Sequence, residues 1–127
     1  MPTLFIDRDT WSHLLDSALR AAAIPFVAHR DVFEPDTPDP EWIGEAGRRG
    51  WTVVTCDKNI RRRPNELRAV RAAKVRLFAL TSGNLSAADT ATAIIQAWPA
   101  IQKEVARTSA PALFSVSRSG VVRFLKS

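Results

Sequence analysis

The chain has 127 residues, of which 46% are hydrophobic and 24% charged, with a formal net charge of +5; these are ordinary values for a soluble globular protein and allow one domain, residues 1–127, with a real core. A single cysteine, Cys56, excludes an internal disulfide, and no apolar run approaches the length of a bilayer span. With an N-terminus that lacks the order of a signal peptide, this sets the expectation of a cytoplasmic protein with no membrane partner.

The elements read in chain order as follows. Residues 3–7 form a strand whose apolar run, Leu4 to Ile6, is closed by Asp7. Residues 10–23 predict a helix, capped by Asp9 or Thr10, with Trp11, Leu14, Leu15, Ala18, Leu19 and Ala22 on one stripe. Residues 24–28 predict a second strand, with Pro25 tolerable near its start. Residues 29–38 read as a polar loop. Asp39-Pro40-Glu41 reads as a helix start, with Asp39 as N-cap and Glu41 in the first turn, and the helix stops at Gly50.

Residues 51–55 predict a buried strand, rich in β-branched residues and followed by Asp57. Residues 64–73 predict a helix and residues 75–80 a fourth strand. Ser86 and Asp89 form a capping-box-like start to a further helix, its stripe running from Ala93 to Val105, with Pro99 expected to kink or split it. Residues 112–117 and 121–125 alternate around Ser119-Gly120 as a hairpin. The alternation of strands and helices predicts an α/β fold, a three-layer α/β/α sandwich with a mainly parallel central sheet. Its core covers about residues 3–108, and a C-terminal β-hairpin covers about 112–126.

Charge is unevenly placed. Residues 1–57 carry 5 Lys/Arg and 10 Asp/Glu, net −5; residues 58–127 carry 13 and 3, net +10. Six carboxylates fall between Asp31 and Glu45 without a base, and eight bases between Lys58 and Arg76 against one acid, Glu66. An acidic focus beside a basic surface suits a metal-dependent enzyme acting on a polyanion; it equally suits a solubilising surface of mixed charge.

Asp7 and Asp57 both follow predicted parallel strands, and ligands bind beyond the carboxyl ends of such strands. Converging carboxylates repel unless a cation lies between them, and hard oxygen donors suit Mg²⁺ or Mn²⁺. Taken alone, each acid is also a good turn or cap residue. Thr55 is placed to hydrogen-bond a carboxylate or nearby backbone. Lys58, Arg61, Arg62 and Arg63 suit an RNA-binding rim or an exposed turn. Cys56 with His13 or His29 has no spacing that supports a nucleophile pair; His13 falls on a polar helix side, and His29 ends a strand near the acids. Trp11, Trp42 and Trp98 read as core rather than base-stacking platforms.

Asp39-Pro40-Glu41-Trp42-Ile43, then Gly50, then Thr55-Cys56-Asp57-Lys58, eighteen positions from Asp39 to Asp57, with a strand ending at Asp7 and Asp9 two further on, resembles the compact PIN-like proteins over roughly residues 3–85. These are small α/β nucleases that cut RNA with acid-held Mg²⁺ or Mn²⁺, many of them toxins of toxin–antitoxin pairs. The resemblance implies catalytic and metal-coordinating roles for Asp7, Asp39 and Asp57. Asp9 stands where larger PIN domains often have Asn, as a ligand or as a loop-holding group. Such domains carry a further acid on a helix for which this chain is too short, leaving Glu34, Asp36 or Glu41 to replace it. The implied function is a metal-dependent endoribonuclease with an RNA substrate, an antitoxin protein as partner and a homodimer as its assembly. The alternative is a non-catalytic RNA- or protein-binding module of the same fold; a phosphatase or receiver-like protein lacks a complete phosphate-accepting signature.

Overall fold

The computed structural model describes residues 1–57 and 62–126. Its elements are β1 (Leu4–Ile6), α1 (His13–Ala21), β2 (Phe26–Ala28), α2 (His29–Val32), α3 (Asp39–Arg49), β3 (Thr52–Thr55), α4 (Pro64–Ala73), β4 (Arg76–Leu80), α5 (Ala87–Arg107), β5 (Ala112–Val116) and β6 (Val122–Lys126). The strands form one sheet in the order β2-β1-β3-β4-β5-β6, parallel except for the antiparallel pair β5–β6. This is the α/β architecture that the alternating pattern predicts.

The apolar runs are continuous because the sheet is covered on both faces. Leu4, Ile6, Val54, Phe78 and Phe114 face α1 and α5. Their neighbours Phe5, Val53, Leu77 and Leu113 face α3 and α4. Phe5 stacks on Trp42 and on Trp51, each at 5.3 Å between ring centroids. At Gly47, α3 lies against the last residue of α4, and a Cβ there would overlap the Ala73 carbonyl. The Gly50 backbone adopts φ 73°, a left-handed cap that glycine takes without strain.

The chain runs from β1 outward to β2, then returns to place β3 on the other side of β1. The crevice of such a sheet lies at this reversal, beyond the carboxyl ends of β1 and β3. Ile6 pairs with Val54, so the residues that follow, Asp7 and Thr55, emerge side by side.

Several expectations are corrected. Helix α1 begins at His13, not residue 10, because Ser12 supplies the cap, accepting from the Leu15 amide at 3.0 Å. Trp11 therefore precedes the helix, and Leu14 is 47% exposed instead of lying on the buried stripe. The loop after β2 opens with the single turn α2. Asp39 is the first residue of α3 rather than its cap: the Pro38 carbonyl accepts the Glu41 amide at 3.0 Å, and the Asp39 carboxylate accepts the Trp42 indole N–H at 2.9 Å. Pro99 does not split α5, because the residues on either side of it, Ala97 and Ile101, are buried in the same core. The Ser86 cap is as expected, accepting the Asp89 amide at 3.0 Å. The expected C-terminal hairpin is present as the antiparallel pair β5–β6, and it extends the sheet. β5 is the fifth parallel strand, in register with β4 (Phe78 opposite Phe114, rings stacked at 4.3 Å), and only β6 turns back.

Candidate active site

Asp7 is the buried centre of the site, 6% exposed at the end of β1. A carboxylate so placed needs donors. Its Oδ1 accepts the Thr10 hydroxyl and the Thr10 amide, the latter at 3.2 Å. Its Oδ2 accepts the Thr55 hydroxyl at 2.7 Å. Each threonine also accepts a backbone amide from the loop after β3: Thr10 from Cys56 at 2.8 Å and Thr55 from Asp57 at 3.0 Å. Thr55 thus performs both alternatives read from its position. Burial pushes the Asp7 carboxyl up to about 6; the Thr10 and Thr55 bonds pull it down, and the Asp9 charge adds a smaller push upward. Burial, more than crowding of the carboxylates, raises it.

The remaining acids divide between two openings. Asp7, Asp9 and Asp39, with Arg8 and His29, line a narrow pocket of about 40 Å³. Asp9 and Asp57, with Thr10 and Trp11, line a wider cavity of about 490 Å³ that reaches the start of α5. Asp9 is common to both and exposed. Glu41 lies exposed on the first turn of α3 and lines neither. Arg63 binds the Asp57 carboxylate at 2.7 Å, with Glu66 at 4.0 Å. Arg62 is exposed and lines a separate pocket with Leu113, Leu125 and Lys126. Lys58 and Arg61 lie outside the described residues.

Three further side chains shape the site. His29 is 2% exposed, and its Nδ1 has no hydrogen-bond partner among the described residues. Burial and the Arg8 charge hold its pKa below the ordinary value, against the opposing pull of Asp39 and Asp9. The Cys56 thiol lies 3.6 Å from the Asp9 carbonyl oxygen, and burial pushes its pKa up, the opposite of what a nucleophile needs. His13 is exposed and packs edge-on against Trp11. Trp11 itself is half-buried at the cavity wall. The sequence pattern missed Thr10 as a partner of Asp7, because Thr10 also reads as a helix cap; Ser12, three residues before Leu15, was the competing signal.

The donor chemistry fits Mg²⁺ or Mn²⁺: hard carboxylate oxygens, with an imidazole whose Nδ1 is unpartnered on the wall of the same narrow pocket. Among the described residues no three Asp, Glu, His or Cys side chains already converge as a ligand set. Two of the acids are engaged elsewhere: Asp39 accepts the Trp42 indole N–H and Asp57 the Arg63 guanidinium.

Residues 2–82 match the family model described as a PIN like domain. The chain is also similar to a protein of Mycobacterium tuberculosis (strain ATCC 25618 / H37Rv) named "Putative ribonuclease VapC45", with 29% identity over 126 residues, which cover 96% of this chain and 91% of that protein. No solved structure matches the chain. No helix among the described residues is long and apolar enough to cross a membrane. The family match takes in β1 to β4 with Asp7, Asp39 and Asp57, well over half of the sequence, and the chain belongs to the PIN-like domain family.

Proposed function

We propose that the protein is an endoribonuclease dependent on Mg²⁺ or Mn²⁺, acting in the cytoplasm as the toxin of a toxin–antitoxin pair, as one domain that forms a homodimer. The observation that carries the reading is Asp7, a buried carboxylate fixed at the sheet reversal by two threonine hydroxyls. The family match and the name of the mycobacterial relative support it.

Asp7, Asp9, Asp39 and Asp57 are the residues that would hold the cation, with Glu41 as an outer acid on α3. When bound, the ion lowers the pKa of a coordinated water and offsets charge on the phosphate. The residues of the chain do the rest. Thr10 and Thr55 keep both Asp7 oxygens oriented. Asp9 and Asp57 share the wider cavity; one of these carboxylates would take the proton of the attacking water as the new phosphorus–oxygen bond forms and the bond to the leaving ribose oxygen breaks, that oxygen taking a proton from solvent. Arg63 and Arg62, with Lys58 and Arg61, hold phosphates of the strand without reading its sequence.

The test is cleavage of RNA by wild type and Asp57→Asn, with EDTA and with Mn²⁺ added back. Activity should vanish in EDTA, return with Mn²⁺ and be absent in the variant, whose melting temperature stays near that of wild type. Metal-independent cleavage, or full activity of Asp57→Asn, would overturn the assignment.

A further inference from the structure

β6 leaves one margin of the sheet open. It pairs with β5 on one side and, among the described residues, with no strand on the other. Arg123, Phe124, Leu125 and Lys126 are all exposed. The opposite margin, β2, is shorter and better covered: it has three residues, and the Arg20 guanidinium lies 5.1 Å from the Phe26 ring centroid. An open strand presents a row of unpaired N–H and C=O groups, which another extended backbone can match.

The side chains along β6 are apolar as well as basic. Phe124 meets Phe114 edge-on at 5.6 Å yet stays 52% exposed. Leu125 shares an open hollow of about 350 Å³ with Leu113, Arg62 and Lys126. Beyond Asp57 the chain has three acids, Glu66, Asp89 and Glu104. Each faces another arginine: Glu66 faces Arg63, Asp89 faces Arg118 and Glu104 faces Arg107. Among the described residues no carboxylate pairs with Arg123 or Lys126.

These groups discriminate between occupants. A second β6 would bring its own Arg123 and Lys126 into the ladder with no acid to offset them. RNA would satisfy the charges, but Leu113 and Leu125 give a base no aromatic face, and phosphates cannot continue a β-ladder. A peptide with carboxylates and apolar side chains answers the backbone, the hollow and the cations together.

We propose that β6 accepts an added strand, an extended segment of another protein that carries both acidic and apolar residues. Its apolar side chains rest on Leu125 and Phe124, and its carboxylates reach Arg123 and Lys126. β6 lies outside residues 2–82 that match the family model, and its margin can be filled whether or not the crevice cleaves RNA.

The test uses the isotope-labelled full chain and a short acetylated peptide alternating Glu and Val. The peptide should bind saturably and slow hydrogen exchange at the β6 amides. The same peptide with alternate amides N-methylated should not bind, because it cannot continue the ladder. Arg123→Glu combined with Lys126→Glu should weaken binding of the Glu–Val peptide at least about tenfold and confer binding of a Lys–Val peptide. No binding of the Glu–Val peptide by wild type, or equal affinity in the charge-reversed variant, overturns the proposal. Protection of the β6 amides by oligouridylate and not by the peptide makes this an RNA surface and overturns it. A dimer in sedimentation whose β6 amides are protected without any peptide gives the margin to a second copy and overturns it too. If the reversed variant melts well below wild type, the two peptides on wild type decide, and equal binding of the N-methylated one overturns the added strand.

Discussion

Thr55 donates its hydroxyl proton to Asp7 at 2.7 Å, across 48 positions of sequence, and the same oxygen accepts the Asp57 amide at 3.0 Å. One hydroxyl therefore joins the two strand-end aspartates. Thr55→Val, nearly the same shape, leaves Asp7 with one fewer donor and the Asp57 amide without this acceptor. A buried group that loses its partner costs about 1–3 kcal/mol. We expect that loss in urea unfolding together with a drop in RNA cleavage, whereas Thr55→Ser keeps both bonds and stays close to wild type. A Thr55→Val protein as stable and active as wild type would show that the hydroxyl is idle.

Asp7 gives the metal-free protein an inverted pH dependence. Its folded pKa, about 6, lies above the ordinary 3.8 because burial disfavours the charge. The folded state therefore holds its proton more tightly than the unfolded state does. Stability from this group is greatest below pH 4 and falls as the pH rises through about 6, by about 3 kcal/mol in all. In EDTA, Asp7→Asn should be more stable than wild type at pH 7.5, and its stability should change less between pH 5 and 7.5. Millimolar Mn²⁺ should stabilise wild type at pH 7.5 by about 2.7 kcal/mol at a hundredfold excess over its dissociation constant, closing most of that gap, and by less at pH 5, where protons compete. Chemical unfolding at both pH values, with and without metal, reads all of this; identical curves for wild type and Asp7→Asn would refute it.

Arg63 competes with any cation for Asp57, holding its carboxylate at 2.7 Å. The pair is partly exposed, so Arg63→Ala should change stability by less than about 1 kcal/mol. It should tighten Mn²⁺ binding severalfold in calorimetry and weaken RNA binding, with the log–log salt slope falling by about 0.7 for the lost phosphate contact. Unchanged metal affinity would mean that Asp57 takes no part in holding the ion.

Gly47 tests the packing that supports the acidic loop. Alanine improves helix propensity by about 1 kcal/mol. Here its Cβ meets the Ala73 carbonyl, which is backbone and cannot turn aside. Overpacking costs about 1–3 kcal/mol, so Gly47→Ala should lower the melting temperature. A rise would mean that α3 and α4 part easily.

Much of the fold is legible in the sequence because both faces of the sheet are covered. Val53 and Val54 point to opposite cores, so the strand reads as an unbroken apolar run. The site is less legible. Asp7 and Asp57 stand out as acids closing such runs, but Thr10 has two competing uses and spends its hydroxyl on Asp7. Trp11 fits the stripe of a helix that in fact starts three residues later than the spacing suggests. Asp39 has the residue type of a cap, but Pro38 takes the cap position and the Asp39 carboxylate turns to the Trp42 indole. These choices rest on competition between partners in space, which periodicity cannot rank.

The parallel pairing of β1 with β3 also sets an order of events during synthesis. Asp7 leaves the ribosome early, yet one of its two hydroxyl donors, Thr55, belongs to a strand made 48 positions later. Until β3 has emerged, Asp7 lacks the Thr55 donor, and no partial chain that ends before β3 carries both carboxylates. The chemistry of the crevice is thus withheld from every truncated product that ends before β3, by the topology of the sheet alone.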